Sequence, residues 1–423
     1  MSQSVQQALA NSTNSKNVVH TLASGSSVGF QSSGNGTWNF NRDQAVSLQE
    51  SYDTVLVNPY SVPAQSALQQ GSAVAYVDFQ LPSTLGQIKS LYTDITLHNG
   101  SESDWVPELP IMPFSIHHVE VWQSGSQLGQ NIPALALWKY YGYVNSLNEM
   151  KQLQARSTID AHTYALTCNS NLGAGLSRVY SIDWAPMIQF IQAKISVKYC
   201  NQITLRFYFE SITNLSPANT NDNNNAITLS SFILRVTQLH LDADGESRMA
   251  TAYKKNVDGR CIQLVEERGT FVSSAGNSVT YNTNAFNNLT CALVDVSLRG
   301  TNPSGANMIT FNQATSIDIR DQNSVSLING IVPTSSDYLD IYYPEIFDDN
   351  IFTKASGLYI YPVLRGSTHM KQTLKRCQQL GFRVFPNRAQ LLITMPSSAT
   401  YQIVIHAWSY AHCRLQQGKL AIY

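Results

Sequence analysis

Apolar and polar residues alternate along most of the chain that follows residue 55. In the first such run Val77, Phe79 and Leu81 occupy every second position, with polar residues between them. Because successive side chains of a β-strand point to opposite faces, this alternation predicts strands that bury one face. Short runs separated by Gly, Pro, Asn and Ser clusters favour an antiparallel sandwich over a βαβ fold. The pattern recurs at 203–209, 232–236, 292–298, 391–395 and 403–407.

Helical patterns are short and lie between the predicted strands. Residues 133–147, PALALWKYYGYVNSL, are one candidate, and a second begins at Pro186, before MIQFIQAK. A third covers 368–380 and is followed by Gly381. Proline is favoured at the first position of a helix and glycine just after its last, so we expect short helices in the loops of a β scaffold.

Two polar segments lack any periodic pattern. Residues 1–55 include Ser- and Asn-rich sequence such as QSSGNG at 31–36, which predicts an extended N-terminal arm. Residues 211–228 contain the run TNDNNN. Because buried amides need hydrogen-bond partners, we expect this second segment to project from the first sandwich into solvent.

The sequence contains an internal repeat. SIHHVEVWQSGSQLGQNIP at 115–133 resembles SIDIRDQNSVSLINGIVP at 316–333, and a Tyr-Tyr pair follows each of them, at 140–141 and 342–343. A repeat on this scale predicts two related domains in tandem. A chance match between short β segments is the alternative explanation.

The repeat divides the chain into an arm at 1–55, a first domain at 56–245 and a second at 246–423. The sequence from Asp242 to Gly245 resembles part of an EF-hand loop but lacks suitable ligands at the first and twelfth positions. We therefore expect these four residues to form the turn that joins the two domains.

The composition narrows the range of partners. Charged residues make up 13% of the 423 residues, and 27 basic against 28 acidic residues give a net charge of −1. An ordinary soluble domain has about 25% charged residues, and binding to nucleic acid through charge requires a basic surface. We therefore expect neutral, polar partner surfaces. The sequence has no apolar run of ~18 residues and no signal-peptide pattern at its start, so neither a membrane span nor secretion is predicted.

The cysteines do not indicate a metal site or a disulfide framework. They lie far apart and include no Cys-x-x-Cys pair, so neither a zinc site nor dense cross-linking is predicted. We expect them to be mostly buried thiols. The six are Cys168, Cys200, Cys261, Cys291, Cys377 and Cys413.

No catalytic or cofactor-binding residue is predicted. Residues 25–29 fit the G-x-S-x-G pattern but lie in the polar arm, not between the strand and helix that a nucleophile elbow requires. Gly173 and Gly175 lack the third glycine of a dinucleotide-binding loop and should form a turn. The acidic residues of 337–349 have the chemistry to bind Ca²⁺ or to hydrolyse a glycoside, but we expect a solvated loop.

No metal site is predicted either. His117 and His118 are neighbours on a predicted strand, so their side chains should point to opposite faces and not bind one ion together. His406 and His412 are too far apart along another predicted strand to form a ligand pair by themselves.

Three segments make the chain resemble the double jelly-roll major capsid proteins. This family is found in a lineage that includes tailless icosahedral bacteriophages, adenoviruses and large DNA viruses. The three are similar to the opening strands of the family's first roll, and the two-copy arrangement extends the resemblance over almost everything after the arm. They are VAYVDFQLP at 74–82, LYTDITLHNGS at 91–101 and MPFSIHHVEVWQSGSQLGQ at 112–130.

The resemblance implies an all-β fold of two tandem eight-stranded antiparallel jelly-roll sandwiches, with a few short helices in their loops. It implies a structural protein without enzymatic activity, cofactor or sequence-specific nucleic-acid binding. Three chains would form a pseudo-hexameric capsomer that tiles an icosahedral shell, within a virion of a DNA virus that is assembled in the host cell. Further implied partners are neighbouring capsomers and penton or minor capsid proteins, and an internal membrane is an open alternative.

The residues themselves leave two other classes of protein open. A host-recognition or carbohydrate-binding β-sandwich would share the richness in Tyr and Asn, but it would not need two equal domains. A β-sandwich glycoside hydrolase would need two carboxylates that converge in a cleft, and the sequence identifies no such pair.

Overall fold

Two antiparallel β-sandwiches follow one another along the chain. Each sandwich is built from two sheets, and a helix connects the two sandwiches. In the computed structural model the described residues are 50–70, 75–144, 172–217, 224–241, 243–255, 260–272, 278–282, 290–301, 304–309, 311–312, 314–321, 323–326, 358–362, 383–384, 390–394 and 400–422.

The first sandwich contains β1 (Glu50–Val57), β2 (Tyr76–Gln80), β3 (Gln87–Asn99), β4 (Ile116–Gln123), β5 (Ser126–Gln127), β6 (Ile132–Pro133), β7 (Ser177–Asp183), β8 (Ile203–Phe209) and β9 (Ile227–Leu241). Its first sheet has the order β1-β9-β3-β7. Its second sheet has the order β2-β8-β4-β5, with β6 paired to β4. Successive long strands alternate between the two sheets, which is the arrangement of a jelly roll.

The second sandwich contains β10 (Arg260–Val272), β11 (Ser278–Asn282), β12 (Thr290–Gly300), β13 (Ser316–Arg320), β14 (Leu358–Pro362), β15 (Arg383–Val384), β16 (Gln390–Thr394), β17 (Tyr401–Gln416) and β18 (Lys419–Ile422). The order of its first sheet, β10-β17-β12-β14, repeats that of β1-β9-β3-β7. The order β11-β16-β13 repeats β2-β8-β4. The predicted fold of two tandem jelly rolls is confirmed.

Short helices connect the strands, as the sequence predicts. Of the helix predicted at 133–147, residues 134–144 are helical, Pro133 belongs to β6 and 145–147 lie outside the described residues. Pro186 lies in a 3₁₀ turn, and the helix that follows it, Gln189–Gln192, is shorter than predicted. The third predicted helix, 368–380, lies outside the described residues. The helices are α1 (Ala67–Gln70), α2 (Ile111–Phe114), α3 (Ala134–Val144), α4 (Gln189–Gln192), α5 (Ile212–Leu215) and α6 (Ala243–Lys255), and the 3₁₀ turns are Ala185–Met187, Val197–Tyr199 and Gly305–Met308.

The core of the first roll follows the predicted alternation. Every second residue of β8 is buried, and the residues between are partly exposed. Phe79, Phe207 and Phe232 meet edge to face, with ring centroids 5.0 to 5.7 Å apart. Burying each such ring contributes about 1.5–3 kcal/mol, so the contact between the two sheets is a main source of stability.

The second roll has its own core, but one of its strands is buried on both faces. Ile403, Ile405 and Ala407 point into the sandwich, as the alternation predicts. Their neighbours on β17, among them His406 and Trp408, are also fully buried. The second face of β17 is buried by residues of the first roll, which contact His406 and Trp408 from outside the sandwich.

Two predicted boundaries differ from the observed elements. Residues 50–55, assigned to the arm, are part of β1, which pairs with β9. The expected turn at Asp242 to Gly245 is wrong, since Ala243 begins the helix α6. Asp244 lies in the first helical turn, where a carboxylate is favoured, and it pairs with Arg248 one turn later at 2.8 Å. The rest of the arm, 1–49, lies outside the described residues, and the division at 245/246 stays a prediction.

The prediction that residues 211–228 project into solvent is wrong at both ends of the segment. Leu215 and Ile227 are fully buried, and so is Asn224 at 2% exposure. The amide of Asn224 can be buried because its oxygen accepts from Trp105 Nε1 at 3.0 Å and its nitrogen donates to the Ser216 carbonyl at 3.0 Å. Residues 218–223 lie outside the described part.

Candidate functional site at the junction of the two rolls

Helix α3 of the first roll lies across the outer face of the second roll's first sheet. Its sequence, ALALWKYYGYV, is apolar apart from one lysine, and all its described side chains are buried. A short helix that is apolar on all sides is buried on all sides. Tyr140 and Tyr143 contact the Trp408 ring, with centroids 6.4 and 5.4 Å apart. Trp408 thereby joins the continuous apolar core of the first roll.

The lysine of α3 enters a polar cluster on that face. Lys139 Nζ donates to Asp295 Oδ1, to His406 Nδ1 at 2.8 Å and to Ser297 Oγ at 3.3 Å. The other carboxylate oxygen of Asp295 accepts from Trp408 Nε1 at 2.7 Å. We call these five residues the junction cluster. It connects one helix of the first roll to two strands of the second, β12 and β17.

The junction cluster has no access to solvent. The side chains of Lys139, Asp295 and His406 are all 0% exposed. Burial by itself raises the pKa of Asp295, but the charge and hydrogen bonds of Lys139 and His406 outweigh it and hold that pKa well below its ordinary range. The aspartate is therefore ionised and paired. No substrate can reach these groups without separating the rolls, so the cluster is suited to holding the domains together.

A second contact of the junction involves the C-terminal hairpin of β17 and β18. Gly418, at its turn, has a φ of +80° and accepts from Asn201 N at 2.7 Å. Gln123 of β4 donates from Nε2 to the Gly418 carbonyl at 2.9 Å and accepts from Leu420 N at 2.8 Å. A Cβ at Gly418 would lie 2.5 Å from Asn201 Oδ1, so the close approach favours glycine.

The connecting helix α6 makes the third contact. Tyr253 donates its hydroxyl hydrogen to the Lys194 carbonyl at 2.8 Å and accepts from Ser196 N at 3.0 Å. Tyr199 donates to Glu246 Oε2 at 2.8 Å. Burial raises the pKa of Tyr253 to about 12, so this phenol stays protonated at neutral pH. Three separate contacts fix the orientation of one roll relative to the other.

The equivalent sheet of the first roll has no such cover within the described residues. On the outer face of β1-β9-β3-β7, Tyr52, Leu56 and Val179 are 53%, 60% and 53% exposed. Large apolar side chains at this exposure, grouped on one sheet face, are typical of an interaction surface. We call this surface the first-roll face, which also includes Asp94 and Arg235.

A paired charge lies at the centre of the first-roll face. Arg235 donates from Nε to Asp94 Oδ2 at 2.8 Å and from Nη2 to Asp94 Oδ1 at 3.0 Å. The hydroxyl of Ser181 donates to the same carboxylate at 2.6 Å. The guanidinium also lies 4.8 Å from the centre of the Tyr92 ring. The hydrogen bonds of Asp94 raise the pKa of Arg235, which is therefore permanently charged. The pair is neutral overall and fixed in place.

Asp94 and Asp295 occupy the same position in the two rolls. They are related by the same offset along the chain as Ser115 and Ser316 of the sequence repeat. They lie on β3 and β12, which have the same place in their sheets. Each accepts a hydrogen bond from the adjacent strand, Asp94 from Arg235 and Asp295 from Trp408. The repeat therefore extends to individual side chains: Asp295 faces α3 and is fully buried, whereas the side chain of Asp94 is 20% exposed.

The second sheet of the first roll carries a polar and aromatic patch on its outer face. Arg206 binds both oxygens of Asp78, at 2.7 and 2.9 Å, and lies 4.3 Å from the Tyr76 ring and 5.2 Å from the Trp122 ring. Trp122 Nε1 donates to Glu120 Oε2 at 2.8 Å. The polar groups of this patch already bind one another, which leaves few of them to recognise a ligand.

The prediction that His117 and His118 point to opposite faces is wrong. The strand β4 has a register shift between Ile116 and His118, which interrupts the alternation of side chains. The two Nδ1 atoms consequently lie 2.7 Å apart, and His118 stacks on Tyr208 with ring centroids 4.2 Å apart. Burial, followed by the neighbouring His117, lowers the pKa of His118 to about 4. This ring is neutral at physiological pH.

The remaining predictions concern the glycine turn, the cysteines, the two rejected catalytic motifs, and metal or membrane binding. Gly175, with a φ of +67°, lies in the expected turn. Cys413 is buried and Cys200 is partly buried, and burial raises the pKa of each thiol to about 12. The segments 25–29 and 337–349 lie outside the described residues. Within the described part, no three His, Cys, Asp or Glu side chains are grouped to hold a metal, and no helix has the length and hydrophobicity of a membrane span.

Sequence reasoning missed the junction cluster. Lys139 is the one charged residue of α3, and a lone lysine in an apolar helix is a signal for a buried ionic partner. Nothing in the sequence identified Asp295 as that partner, since the two positions are brought together by the packing of one roll on the other.

Comparison with solved structures finds the same fold in viral capsids. PBCV-1 VP54, in a structure fitted into a reconstruction of the virophage Sputnik, matches with a TM-score of 0.65 and 11% identity, over 89% of this chain and 97% of that chain. The PBCV-1 virus capsid matches with a TM-score of 0.63, 12% identity and the same coverages. The Faustovirus major capsid protein matches with a TM-score of 0.56 and 8% identity, over 88% and 91%.

The sequence by itself matches no family model and no curated protein. The structural matches run across both rolls of this chain and nearly the whole of each of those chains. The chain therefore has the double jelly-roll fold of viral major capsid proteins.

Proposed function

We propose that this protein is the major capsid protein of an icosahedral DNA virus. In this proposal three copies form a capsomer with a pseudo-hexagonal outline, and capsomers tile the viral shell after assembly in the host cell. The observation that carries the proposal is the combination of two rolls with the same strand order and a fold shared, over most of both chains, with capsid proteins.

The geometry of the junction supports this role. Two similar rolls in each of three chains give six similar edges, so a closed threefold assembly has a nearly hexagonal outline. Such an outline requires a fixed angle between the rolls. The junction cluster, the C-terminal hairpin and α6 hold that angle at three separate places.

The charge balance supports protein partners. A net charge of −1 suits hydrogen-bonded contacts with neutral surfaces, such as neighbouring capsomers and penton or minor capsid proteins. It does not suit packaging of nucleic acid by direct charge neutralisation. In the proposal residues 1–55 include the arm that contacts neighbours or an underlying membrane, 56–245 form the first roll and 246–423 form the second.

We also propose that the protein is not an enzyme. The most chemically distinctive group of side chains in the described residues is the junction cluster, which is fully buried. The carbohydrate-binding alternative gains little from the patch of Tyr76, Arg206 and Trp122. Its polar groups bind one another, and Arg206 lies over both of these aromatic rings.

Electron microscopy of the purified full-length chain, combined with its mass in solution, tests the proposed function. We expect a trimer with a pseudo-sixfold outline, because the six rolls are alike in fold but come from three chains. A chain that is monomeric at micromolar concentration would contradict the proposal, and so would a trimer whose outline shows three separate lobes.

A further inference from the structure

A bulge in β4 brings the side chains of two neighbouring histidines together. The pairing of β4 with β8 advances by two residues on β4, from Ile116 to His118, while it advances by one residue on β8. The extra residue is His117. A bulge re-aims the side chain that it adds, and here the Nδ1 atoms of His117 and His118 lie 2.7 Å apart. Two imidazole nitrogens therefore face each other at the surface of the first roll.

The ring of His118 is held in place by its neighbours on the sheet. It stacks on Tyr208, its cross-strand partner, and its Nε2 atom lies 3.7 Å from Glu120 Oε1. The other oxygen of this carboxylate accepts from Trp122 Nε1 at 2.8 Å and from the Tyr208 hydroxyl at 3.3 Å, which fixes its position. A carboxylate beside one ring nitrogen favours a hydrogen on that nitrogen, so the Nδ1 atom of His118 is left with a lone pair.

We propose that His117 and His118 bind a divalent transition-metal ion, of the class of Cu²⁺ and Ni²⁺, through their two Nδ1 atoms. Without the ion, the hydrogen on His117 Nδ1 lies between the two nitrogens. Moving it to Nε2 of the same ring gives the other neutral tautomer and frees the second lone pair. Glu120 is then a positioning residue, since metal-binding histidines commonly donate their other ring N–H to a carboxylate. This proposal does not depend on the proposed function.

The separation of the two nitrogens favours one coordination geometry. With metal–nitrogen bonds of about 2.0–2.1 Å, nitrogens 2.7 Å apart make an angle of about 80–85° at the metal. Ligands at a right angle would be about 2.9 Å apart, whereas tetrahedral ligands would be about 3.3 Å apart. The rings reach the right angle with a much smaller movement. Right angles are typical of the tetragonal sites of Cu²⁺ and Ni²⁺, whereas structural Zn²⁺ sites are tetrahedral.

An ion can reach the two nitrogens from solvent. His117 is exposed, and the side chain of His118 is 13% exposed. Within the described residues no three His, Cys, Asp or Glu side chains are grouped to hold a metal, so water takes the remaining coordination positions. A site of two imidazoles and water selects transition metals over Mg²⁺ and Ca²⁺, which prefer oxygen ligands.

The charges around the two histidines favour a cation. Burial lowers the pKa of His118 to about 4, so protons do not compete for its lone pair at neutral pH. Arg206, on the outer face of the same sheet, is neutralised by the carboxylate of Asp78 at 2.7 and 2.9 Å. Glu120 adds a negative charge next to the His118 ring. A bound dication therefore gains an attractive partner without facing an unpaired positive charge.

Titration of the metal-free full-length protein with Cu²⁺ tests the proposal. Calorimetry at pH 7.5 measures the affinity, and electron paramagnetic resonance reports the geometry and the number of nitrogen ligands. We expect one site of highest affinity, with a tetragonal spectrum and two equatorial nitrogens. Ni²⁺ should bind more weakly than Cu²⁺ but more tightly than Zn²⁺, and Mg²⁺ should not bind measurably.

Three variants remove separate parts of the site. His117→Gln removes the exposed ligand, and His118→Phe removes the other ligand but keeps a ring that can stack on Tyr208. Each should weaken Cu²⁺ binding by at least about tenfold and reduce the equatorial nitrogens from two to one. Glu120→Gln should weaken binding by about tenfold while both nitrogens remain, because it acts through His118. Circular dichroism should show wild-type secondary structure for His117→Gln.

His240→Gln is the matched control. His240 is 47% exposed and lies 2.9 Å from Asp53, so it represents a single surface histidine beside a carboxylate. The control should bind Cu²⁺ with wild-type affinity. If it loses as much affinity as His117→Gln, the ion binds exposed histidines in general and the proposal is wrong.

Two further results would overturn the proposal. One is wild-type Cu²⁺ affinity in both His117→Gln and His118→Phe, and the other is tighter binding of Zn²⁺ than of Cu²⁺ and Ni²⁺. The mass and outline of the assembled protein play no part in these measurements. A failure here therefore leaves the proposed function as it stands.

Discussion

Lys139 shows how one residue can set the relation between two domains. The ammonium is 0% exposed and is balanced by the carboxylate of Asp295, which lies in the other roll. A buried ion pair contributes little net stability compared with apolar side chains of the same size, because both ions lose their hydration. Its effect is specificity, because an arrangement of the rolls that separates the two groups leaves two unpaired charges in an apolar core.

Lys139→Met should destabilise the protein strongly. The change leaves Asp295 buried without its main countercharge, and we expect the free energy of unfolding to fall by about 3–5 kcal/mol. Lys139→Met/Asp295→Asn removes both charges and keeps an acceptor for Trp408, so it should recover at least half of the loss. Chemical denaturation of the three proteins measures this, and a loss below about 1 kcal/mol in the single variant would contradict it.

His118 should make stability depend on pH. Its pKa is about 4 in the folded protein and near 6.5 when unfolded, so between these values the unfolded chain binds a proton that the folded chain does not. Stability should therefore fall as the pH drops from 6.5 to 4, by up to about 3 kcal/mol, and change no further at this site below pH 4. Denaturation of wild type and His118→Phe across this range measures the difference.

His117→Gln is the matched control for this prediction. Burial is the larger cause of the lowered pKa of His118, and the charge of His117 is the smaller one. The control should keep most of the pH dependence that His118→Phe loses. If the free energy of unfolding depends on pH in the same way in wild type and His118→Phe, the His118 ring has the same pKa in the folded and unfolded protein, and the prediction is wrong.

At the scale of elements, the long strand β17 links several parts of the molecule. It pairs with β10, β12 and β18, and it contacts the first roll through Trp408 and through its C-terminal hairpin. A strand in the middle of its sheet, with both faces buried, should be among the last elements to open. The hairpin turn at Gly418 is the point where this strand reaches β4 of the first roll.

Gly418→Ala should weaken the contact between the hairpin and the first roll. Alanine at a φ of +80° costs about 1 kcal/mol, and its Cβ would also displace Asn201. Gly125→Ala is the matched control, because Gly125 has a φ of +82° with no atom within 4 Å of an added Cβ. Thermal or chemical denaturation should show that Gly418→Ala costs at least about 1 kcal/mol more. Equal losses would mean that the hairpin contact contributes nothing beyond the turn itself.

At the scale of the whole molecule, the repeat gives the two rolls equivalent sheets whose outer faces differ in exposure. Each roll buries its own core, and the first roll also buries the outer face of the second through α3. Within the described residues, the outer face of the second roll's first sheet is therefore covered, whereas the equivalent face of the first roll is exposed at Tyr52, Leu56 and Val179.

The sequence determined the local features of this fold. Alternation at 75–81, 203–209 and 232–236 predicted the buried faces correctly, because a strand with one side in a core must carry apolar residues at every second position. The repeat between 115–133 and 316–333 predicted two domains, and β4 and β13 occupy equivalent places in their sheets. These signals depend on neighbouring residues, and the sequence records them directly.

The tertiary structure decided what depends on distant residues. The second buried face of β17 was not visible in its alternation, because the cover comes from α3, far away along the chain. The paired imidazoles of His117 and His118 depend on a register shift in β4, which simple alternation does not predict. The pairing of Lys139 with Asp295 depends on how one roll packs on the other. Each of these arises from contacts between segments that only the folded chain brings together.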